Sequence, residues 1–298
     1  MTITPPATAD LDGSRAGFSI WIVTPPGYVH SRCFEEVALA LSEAFAVLGF
    51  AAPVVTDPAR VEGTPVVLGA NLIGRIAGPT PPRMILYNLE QVHAGSAWFE
   101  PAYVELLRRF PVWDYSVRNI RALAERGVAA SLCSVGYSPG LTRIPHALMQ
   151  DIDVAFFGSE NPRRIAVLQA LQRGGLKVHA AVGVYGAERD ALLARSKIVL
   201  NLHFHEAQVF EIVRVSYLLA NKLCVVSEIG FDRDLEAPFA KGVAFAAYGE
   251  LVAACRFLLQ RPDARRRIAQ AGFEAFKAMD QAPRLKAALD ALPAAYAN

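Results

Sequence analysis

The chain has 298 residues, of which 53% are hydrophobic and 19% are charged, and its formal net charge is +2. This composition is typical of a folded globular protein, and the length suits two domains of ordinary size. The near-balanced charge argues against a nucleic-acid partner. The most basic run, residues 261–267, is interpreted as a solvated helix start.

The sequence has no segment with the pattern of a signal peptide or a spanning helix, and the spacing of its cysteines indicates a reducing compartment. Mean hydropathy is +0.26, but no apolar run reaches the roughly 18 residues of a spanning helix. Residues 1–16 are polar and lack the basic and apolar regions of a signal peptide, so we expect a disordered lead-in. The four cysteines are far apart without a C-x-x-C pair, which predicts buried thiols in a cytoplasmic protein.

Short apolar segments alternate with helical patterns in the first half, which is typical of α/β proteins with parallel sheets. Residues 18–23 predict a buried strand, and residues 31–50 place apolar side chains at helical spacing. Further strands are predicted at residues 52–56, 64–69, 83–89, 114–117 and 130–135. We therefore expect a doubly wound domain over residues 17–140.

A second α/β series follows a linker placed at residues 141–150, in a stretch that has prolines and glycines but no clear periodicity. Over residues 151–280 strands are predicted at 151–158, 177–183, 197–202, 224–227 and 243–246, and helices from Pro162, near 187–195 and over 208–219. Helices close the chain, and residues 281–298 could pack back on the first domain. The predicted fold class is α/β, with two Rossmann-like doubly wound domains facing across a cleft.

The stretch KIVLNLHFHEAQVFEIVR, residues 197–214, first suggests a metal site. On an extended segment His203 and His205 point the same way, which zinc could use with Glu206 as a third ligand. No further cluster of His, Cys or Asp completes a metal pattern. We therefore favour contacts that line a cleft and predict no bound metal.

The helix predicted over residues 208–219 is apolar in nearly every direction. Its exceptions, Gln208, Glu211 and Arg214, are spaced by three and would share one stripe. The alternative is an ion pair between Glu211 and Arg214, but desolvation often cancels the gain of a buried pair. The helix N-terminus would favour phosphate, and Glu206 would accept hydrogen bonds from hydroxyl groups. This combination suits a sugar or ribose attached to phosphates.

Three segments resemble GT-B glycosyltransferases, together covering roughly residues 151–280. RSKIVLNLHFHEAQVFEIVRVSYLLANKLCVVSE is similar to their donor-binding strand, loop and helix. DIDVAFFGSENPRR and YGELVAACRFLLQRPDARRRIAQAGFEAF resemble the start and the closing helices of the donor domain. The pattern departs at two family glutamates, whose positions are occupied by Val209 and Tyr217, so Glu211 and Arg214 would have to substitute.

The resemblance implies metal-independent transfer of a hexose-type sugar from a nucleotide-diphosphate sugar to a hydroxyl, with no cofactor beyond that co-substrate. Arginines and helix dipoles would neutralise the departing diphosphate. Of the neighbours Arg163 and Arg164, only one need point inward. Tyr185 would contact the nucleobase. The implied donor-binding residues are Ser159, Arg163, Arg164, Tyr185, His203, His205, Glu206, Glu211 and Arg214.

The N-terminal domain would supply the acceptor contacts and the general base. Polar residues that follow its strands give the acceptor-binding candidates Gly27, Tyr28, Asn88, Gln91, His93 and Asp114. Glu90 is our first choice of base, and His30 and His93 are the alternatives. Glu90, His30 and Glu211 are thus the predicted catalytic residues. The acceptor, a saccharide, small molecule or protein, is left open by the sequence.

Other function classes are weighed against this prediction. Neither first strand is followed by G-x-G-x-x-G, which disfavours a nicotinamide-dependent enzyme, and no G-x-x-x-x-G-K-[ST] motif exists for a P-loop kinase. The enzymatic alternative is a nucleotide-sugar epimerase of the same architecture. The non-enzymatic alternative is a subunit that binds a sugar nucleotide or regulates a partner without catalysis.

Overall fold

The computed structural model of the protein describes residues 17–93, 95–96, 98–204 and 208–296. The lead-in predicted for residues 1–16 lies outside them. Two α/β domains are present, each built on one parallel sheet with flanking helices. No helix in these ranges is both long and apolar enough to cross a membrane.

The first sheet contains β1 (Phe18–Ile22), β2 (Val54–Val55), β3 (Thr64–Leu68), β4 (Ile85–Asn88), β5 (Val112–Asp114) and β6 (Ala130–Leu132). Their order is β2-β1-β3-β4-β5-β6, with Ile20 opposite both Val54 and Val66. β1 is buried along its whole length, as expected of a strand covered on both faces. The order reverses between β1 and β3, and such a switch point opens a crevice at the carboxyl ends of the strands.

The helices of this domain are α1 (Glu35–Val47), α2 (Pro101–Arg109) and α3 (Val117–Ala124). A 3₁₀ helix, Val29–Phe34, leads into α1, which buries Val37, Leu41 and Phe45 at intervals of four. Other 3₁₀ turns lie at Pro58–Arg60, Ala70–Arg75 and Pro139–Leu141.

The second sheet contains β7 (Ile152–Phe157), β8 (Val178–Ala181), β9 (Ser196–Asn201), β10 (Val225–Glu228) and β11 (Ala244–Ala246). Their order is β11-β10-β9-β7-β8, which reverses between β7 and β9. The helices are α4 (Pro162–Arg173), α5 (Gly186–Ala194), α6 (Ile212–Ala220), α7 (Arg233–Glu236), α8 (Leu251–Leu259), α9 (Pro262–Lys277) and α10 (Gln281–Asp290). Further 3₁₀ turns lie at Ala237–Phe239, Tyr248–Glu250 and Ala294–Tyr296. The two doubly wound domains predicted from the sequence are confirmed.

Two predicted elements have different bounds in the structure. The strand predicted at residues 114–117 ends at Asp114, because Ser116 Oγ accepts a hydrogen bond from the Asn119 amide (3.3 Å) and caps α3. The helix predicted from Gln208 begins only at Ile212. Gln208 has a φ of 45° and lies in the preceding loop, so it does not share a helix face with Glu211 and Arg214.

The chain end returns to the first domain through α10. Leu285 and Ala288 of α10 belong to the same apolar cluster as Phe45 of α1. The Gly136 amide donates to Gln281 Oε1 (2.6 Å) at the start of α10. The C-terminal helix thereby ties the two domains together behind the cleft.

Candidate functional site

A cleft of about 430 Å³ separates the domains, and residues that follow the carboxyl ends of strands from both sheets line it. These are the positions where parallel α/β sheets bind ligands. The cleft contains a subset of the residues predicted from the sequence: Tyr28, His30, Glu90, Gln91, Ser159, Arg164, Tyr185, Glu211 and Arg214.

Three arginines line the C-terminal wall, and two of them, Arg164 and Arg214, have no close carboxylate partner, whereas Arg189 pairs with Glu36. Arg164, on α4, is almost fully buried and donates to the Ser159 carbonyl oxygen (2.7 Å) and to that of Leu202. Arg214, on α6, donates to Asn201 Oδ1 (3.1 Å). Burial lowers the pKa of Arg214, and burial followed by the charge of Arg214 lowers the pKa of Arg164 to about 9. Burial therefore disfavours the charged form of both guanidinium groups, and a bound anion would stabilise it.

Gly158 allows these arginines to approach the end of β7. Its φ is 136°, and a Cβ atom added there would lie 2.8 Å from Arg214 Nη2 and 3.7 Å from Arg164 Nη1. A side chain at this position would displace the Arg214 guanidinium and strain the backbone. The absence of a side chain at Gly158 thus leaves space for both guanidinium groups beside the loop after β7.

Glu211 is held by three groups at the end of β9 and the start of α6. It accepts a hydrogen bond from Asn201 Nδ2 (2.9 Å), lies 3.1 Å from His203 Nδ1, and lies 3.9 Å from Arg164 Nη2. Burial opposes the charge on both Glu211 and His203, but their contact lowers the pKa of Glu211 and raises that of His203. His203 itself is buried behind the wall as a partner of Glu211 rather than lining the cleft.

Arg163 and Arg164, neighbours on α4, take different roles. Arg163 forms a bidentate ion pair with Glu228 at the end of β10 (Nη1–Oε2 2.6 Å), and its guanidinium lies over the Tyr248 ring. Arg163 is absent from the residues that line the cleft, and its guanidinium is held by Glu228 instead. Arg164 is the one that faces inward.

Glu90 is the acidic group of the N-terminal wall. Its carbonyl oxygen accepts from Asn88 Nδ2 (3.1 Å) and Asn119 Nδ2 (3.0 Å), which fix the loop after β4. Burial raises the pKa of Glu90 to about 7. A carboxylate poised near neutrality therefore faces the cationic wall. Cys33 also lines the cleft and is exposed, so the buried thiol predicted at this position is not found.

Four predicted acceptor residues lie outside the cleft lining: Gly27, Asn88, His93 and Asp114. Asp114 is fully buried and accepts from Asn88 Nδ2 (2.6 Å) and from the Ser116 amide (2.8 Å). Burial raises the pKa of Asp114 to about 7. Asn88 and Asp114 support the loop that carries Glu90, because their polar atoms are used inside the protein. Gly27 is exposed, with a φ of 74°.

Direct hydrogen bonds join the two walls. His30 Nδ1 and Tyr185 Oη are 2.9 Å apart, so the candidate base and the candidate nucleobase contact meet each other across the cleft. Gln91 Nε2 donates to the Val209 carbonyl oxygen (2.9 Å). Gln91 thus acts partly as a link between the domains.

A buried ionic cluster at the domain interface was missed by the sequence analysis. Glu36, on α1, accepts from Arg189 of α5 at 2.8 and 2.9 Å and from Arg143 of the connecting segment at 2.7 Å. Tyr217 donates to Asp190 (2.9 Å) and accepts from Arg143 Nε (3.0 Å). Glu36, Arg189 and Tyr217 also line the cleft. Local patterning gives no signal for this cluster, because the partners of Glu36 lie 107 and 153 positions away in the chain.

Asn201 and Glu228 were also missed, although the sequence carries a signal for both. Asn201 is the last but one residue of the predicted strand KIVLNL, and Glu228 directly follows the predicted strand CVVS. Asn201 Nδ2 donates to Ser227 Oγ (3.0 Å) as well as to Glu211, which connects β9, β10 and α6. His205 and Glu206, which were predicted to bind the donor, lie outside the described residues. Within the described ranges no group of three or more His, Cys, Asp or Glu is placed to hold a metal ion.

The chain is similar to known proteins in sequence and in fold. A family described as glycosyl transferase-like matches residues 142–288. Of two proteins of Acanthamoeba polyphaga mimivirus, L138 is 35% identical over 106 residues and L140 is 26% identical over 181 residues. These matches cover 35% and 56% of this chain and span 12% and 56% of the relatives' lengths.

Solved structures share the two-domain architecture. Anabaena HepE, solved with UDP and glucose, has a TM-score of 0.61 at 12% identity, and the match covers 93% of this chain and all of that one. WaaG, a glycosyltransferase involved in lipopolysaccharide biosynthesis, has a TM-score of 0.57 at 12% identity, with 91% and 98% covered. The described chain therefore has the GT-B glycosyltransferase fold, and its residues 142–288 are similar in sequence to the glycosyl transferase-like family.

Proposed function

We propose that the protein transfers a sugar from a nucleotide-diphosphate sugar to an acceptor hydroxyl. One observation carries this proposal: Arg164 and Arg214, two buried arginines without a close carboxylate partner, line the same cleft as Glu90, which lies on the other wall. Glycosyl transfer needs positive charge where the diphosphate departs and a base where the acceptor hydroxyl attacks. The two walls supply these functions on opposite sides.

On the donor side, Arg164 and Arg214 would hold the diphosphate and stabilise the negative charge that grows on it as the sugar–oxygen bond breaks. The arginine pair supports a reaction without a metal ion, because it supplies the charge that a cation would otherwise provide. Glu211, fixed by Asn201 and His203, would accept hydrogen bonds from sugar or ribose hydroxyls. Tyr185 and Ser159 complete this wall.

On the acceptor side, Glu90 would take the proton of the attacking hydroxyl. A base with a pKa of about 7 is half ionised near neutral pH, which is close to the optimum for proton transfer. Tyr28 and Gln91 lie on the same wall and would position the acceptor. The cytoplasmic location stays a prediction, based on the cysteine pattern.

A panel of nucleotide sugars tests this function. UDP-hexoses come first, because the HepE structure contains UDP and glucose. We expect release of free nucleoside diphosphate that requires an added acceptor. Conversion of the donor into an isomer would instead establish the epimerase, and donor binding without turnover by any acceptor would establish a binding subunit.

A further inference from the structure

A second cavity, of about 400 Å³, lies on the C-terminal domain between the connecting segment, the end of α6 and the start of α9. Its cationic side chains are Lys197, Lys222, Arg265 and Arg266, and no Asp or Glu is among the residues that line it. Lys197 pairs with Asp153 (2.7 Å) and Arg266 with Asp263. Lys222 and Arg265 form no ion pair with a carboxylate of the described residues, so this basic groove has unbalanced positive charge.

An apolar tip projects beside the basic groove. Leu148 and Met149 are 109% and 80% exposed, while the flanking residues Ala147 and Gln150 line the groove. The loop is fixed on both sides: the Ala147 amide donates to the Ala194 carbonyl oxygen (2.9 Å), and Gln150 Nε2 donates to that of Ser196 (2.8 Å). Two large apolar side chains are thus held in solvent by an anchored loop, a feature that marks interaction sites.

Lys222 occupies a backbone position that favours glycine. Lys222 follows the C-cap residue of α6, Asn221, with a φ of 54°, and its amide donates to the Leu219 carbonyl oxygen (3.1 Å); glycine is the usual residue at this position. Its ammonium lies 4.6 Å from the centre of the Phe273 ring. A lysine here costs conformational energy that glycine would avoid. The positive charge of Lys222 is therefore placed in the groove despite an unfavourable backbone conformation.

We propose that the basic groove and the Leu148–Met149 tip together dock on an anionic lipid surface. Cations near a bilayer are attracted to acidic headgroups, and short apolar side chains enter the boundary between headgroups and acyl chains. A soluble anion would use the groove but leave the tip in water. The pairing of unbalanced cations with an exposed apolar tip is the feature that selects the lipid surface over a soluble anion.

Vesicle flotation tests the proposal independently of glycosyl transfer. The full chain is mixed with vesicles of phosphatidylcholine alone, or of phosphatidylcholine with phosphatidylglycerol, at low and high NaCl. We expect binding to the mixed vesicles only, weakened by salt. Leu148→Ser with Met149→Ser should weaken it by about tenfold, and Lys222→Gly by about fivefold.

Lys222→Gly also separates binding from folding, because glycine relieves the left-handed backbone and should preserve thermal stability. Val47→Ser, at an exposed valine away from the groove, and Lys286→Gln, on α10, are the matched controls and should bind vesicles like the unaltered chain. Equal binding to neutral and mixed vesicles, or undiminished binding of the tip variant, would overturn the proposal. Titration with inorganic phosphate that shows Lys222-dependent binding without flotation would assign the groove to a soluble anion instead.

Discussion

At the scale of single residues, the cleft is defined by side chains whose charge is poorly compensated within the protein. Arg163 and Arg164 show the contrast, because both are arginines on the same turn of α4. Arg163 has a complete carboxylate partner in Glu228, whereas Arg164 has only carbonyl oxygens and a carboxylate at 3.9 Å. A cation with a full partner supports structure, and one without it is available to a ligand.

Arg214→Gln should weaken binding of the donor nucleotide by roughly ten- to a hundredfold, the loss expected for a charge-assisted hydrogen bond to phosphate. Isothermal titration with the nucleotide chosen by the donor panel measures this loss. Arg195→Gln is the matched control, since Arg195 is an exposed arginine of the same domain that pairs with Asp151. Equal affinities in both variants would contradict the role of Arg214.

Glu90→Gln should lower kcat by roughly a hundredfold or more, because the variant lacks the proton acceptor. In the unaltered chain kcat/KM should rise with pH through about 7 and then level off, since burial raises the pKa of Glu90 to about 7 and only the ionised form accepts a proton. This rise should disappear in Glu90→Gln.

Asp114→Asn is the control for that pH profile. Burial also raises the pKa of Asp114 to about 7, but this carboxyl lies behind the wall. A folded Asp114→Asn variant should keep the rise with pH. Loss of the rise in Asp114→Asn, with its retention in Glu90→Gln, would exclude Glu90 as the base.

At the scale of elements, the ends of the strands decide where the polar groups meet. The loop after β7 carries Gly158, β9 ends in Asn201, and α6 begins just after Glu211. These three points are separate in sequence, but β7 and β9 are neighbours in the sheet. The switch in strand order between them leaves room for the arginines and a ligand.

Gly158→Ala should reduce donor affinity, because the new Cβ would lie 2.8 Å from Arg214 Nη2. Gly175→Ala is a matched control, since Gly175 also has a positive φ (82°) but nothing within 4 Å of an added Cβ. Both variants should lose about 1 kcal/mol of unfolding free energy through backbone strain, as urea denaturation would show. Only Gly158→Ala should lose donor affinity, and a similar loss in Gly175→Ala would refute this explanation.

At the scale of the whole molecule, the domains are joined by an ionic cluster beneath the cleft. Glu36 of the first domain is buried between Arg189 and Arg143. The direct contacts between His30 and Tyr185, and between Gln91 and Val209, also join the two domains. A substrate must therefore enter a cleft whose width depends on these interdomain bonds.

Glu36→Gln should lower the free energy of unfolding by about 2 kcal/mol, because it removes the charge of the carboxylate that pairs with both Arg189 and Arg143 and leaves Arg189 only Asp190, at 2.9 Å. The neighbouring Glu35→Gln should cost less than about 1 kcal/mol, since Glu35 forms a half-exposed pair with Arg32 within one helical turn. Urea denaturation of both variants measures the difference. Equal losses would show that the interdomain cluster adds nothing to stability.

The sequence by itself determined the α/β alternation, the two doubly wound units and the region of the cleft. Apolar runs and helical spacing record local burial, and polar residues after strands mark the sheet edge where ligands bind. Glu90 was predicted in this way, Glu211 and Arg214 were predicted from the polar stripe on an apolar helix, and Ser159 and Arg164 were implied by the resemblance to GT-B glycosyltransferases.

Only the tertiary structure decided which of those polar residues are available to a ligand and which are used in bonds within the protein. Neighbouring arginines have the same local pattern, and the difference between Arg163 and Arg164 comes from Glu228, which is 65 positions away from Arg163 in the chain. Similarly, the partner of Glu36 is Arg189 in the other domain. Partners distant in sequence determine whether a buried charge is satisfied, and local periodicity contains no information about them.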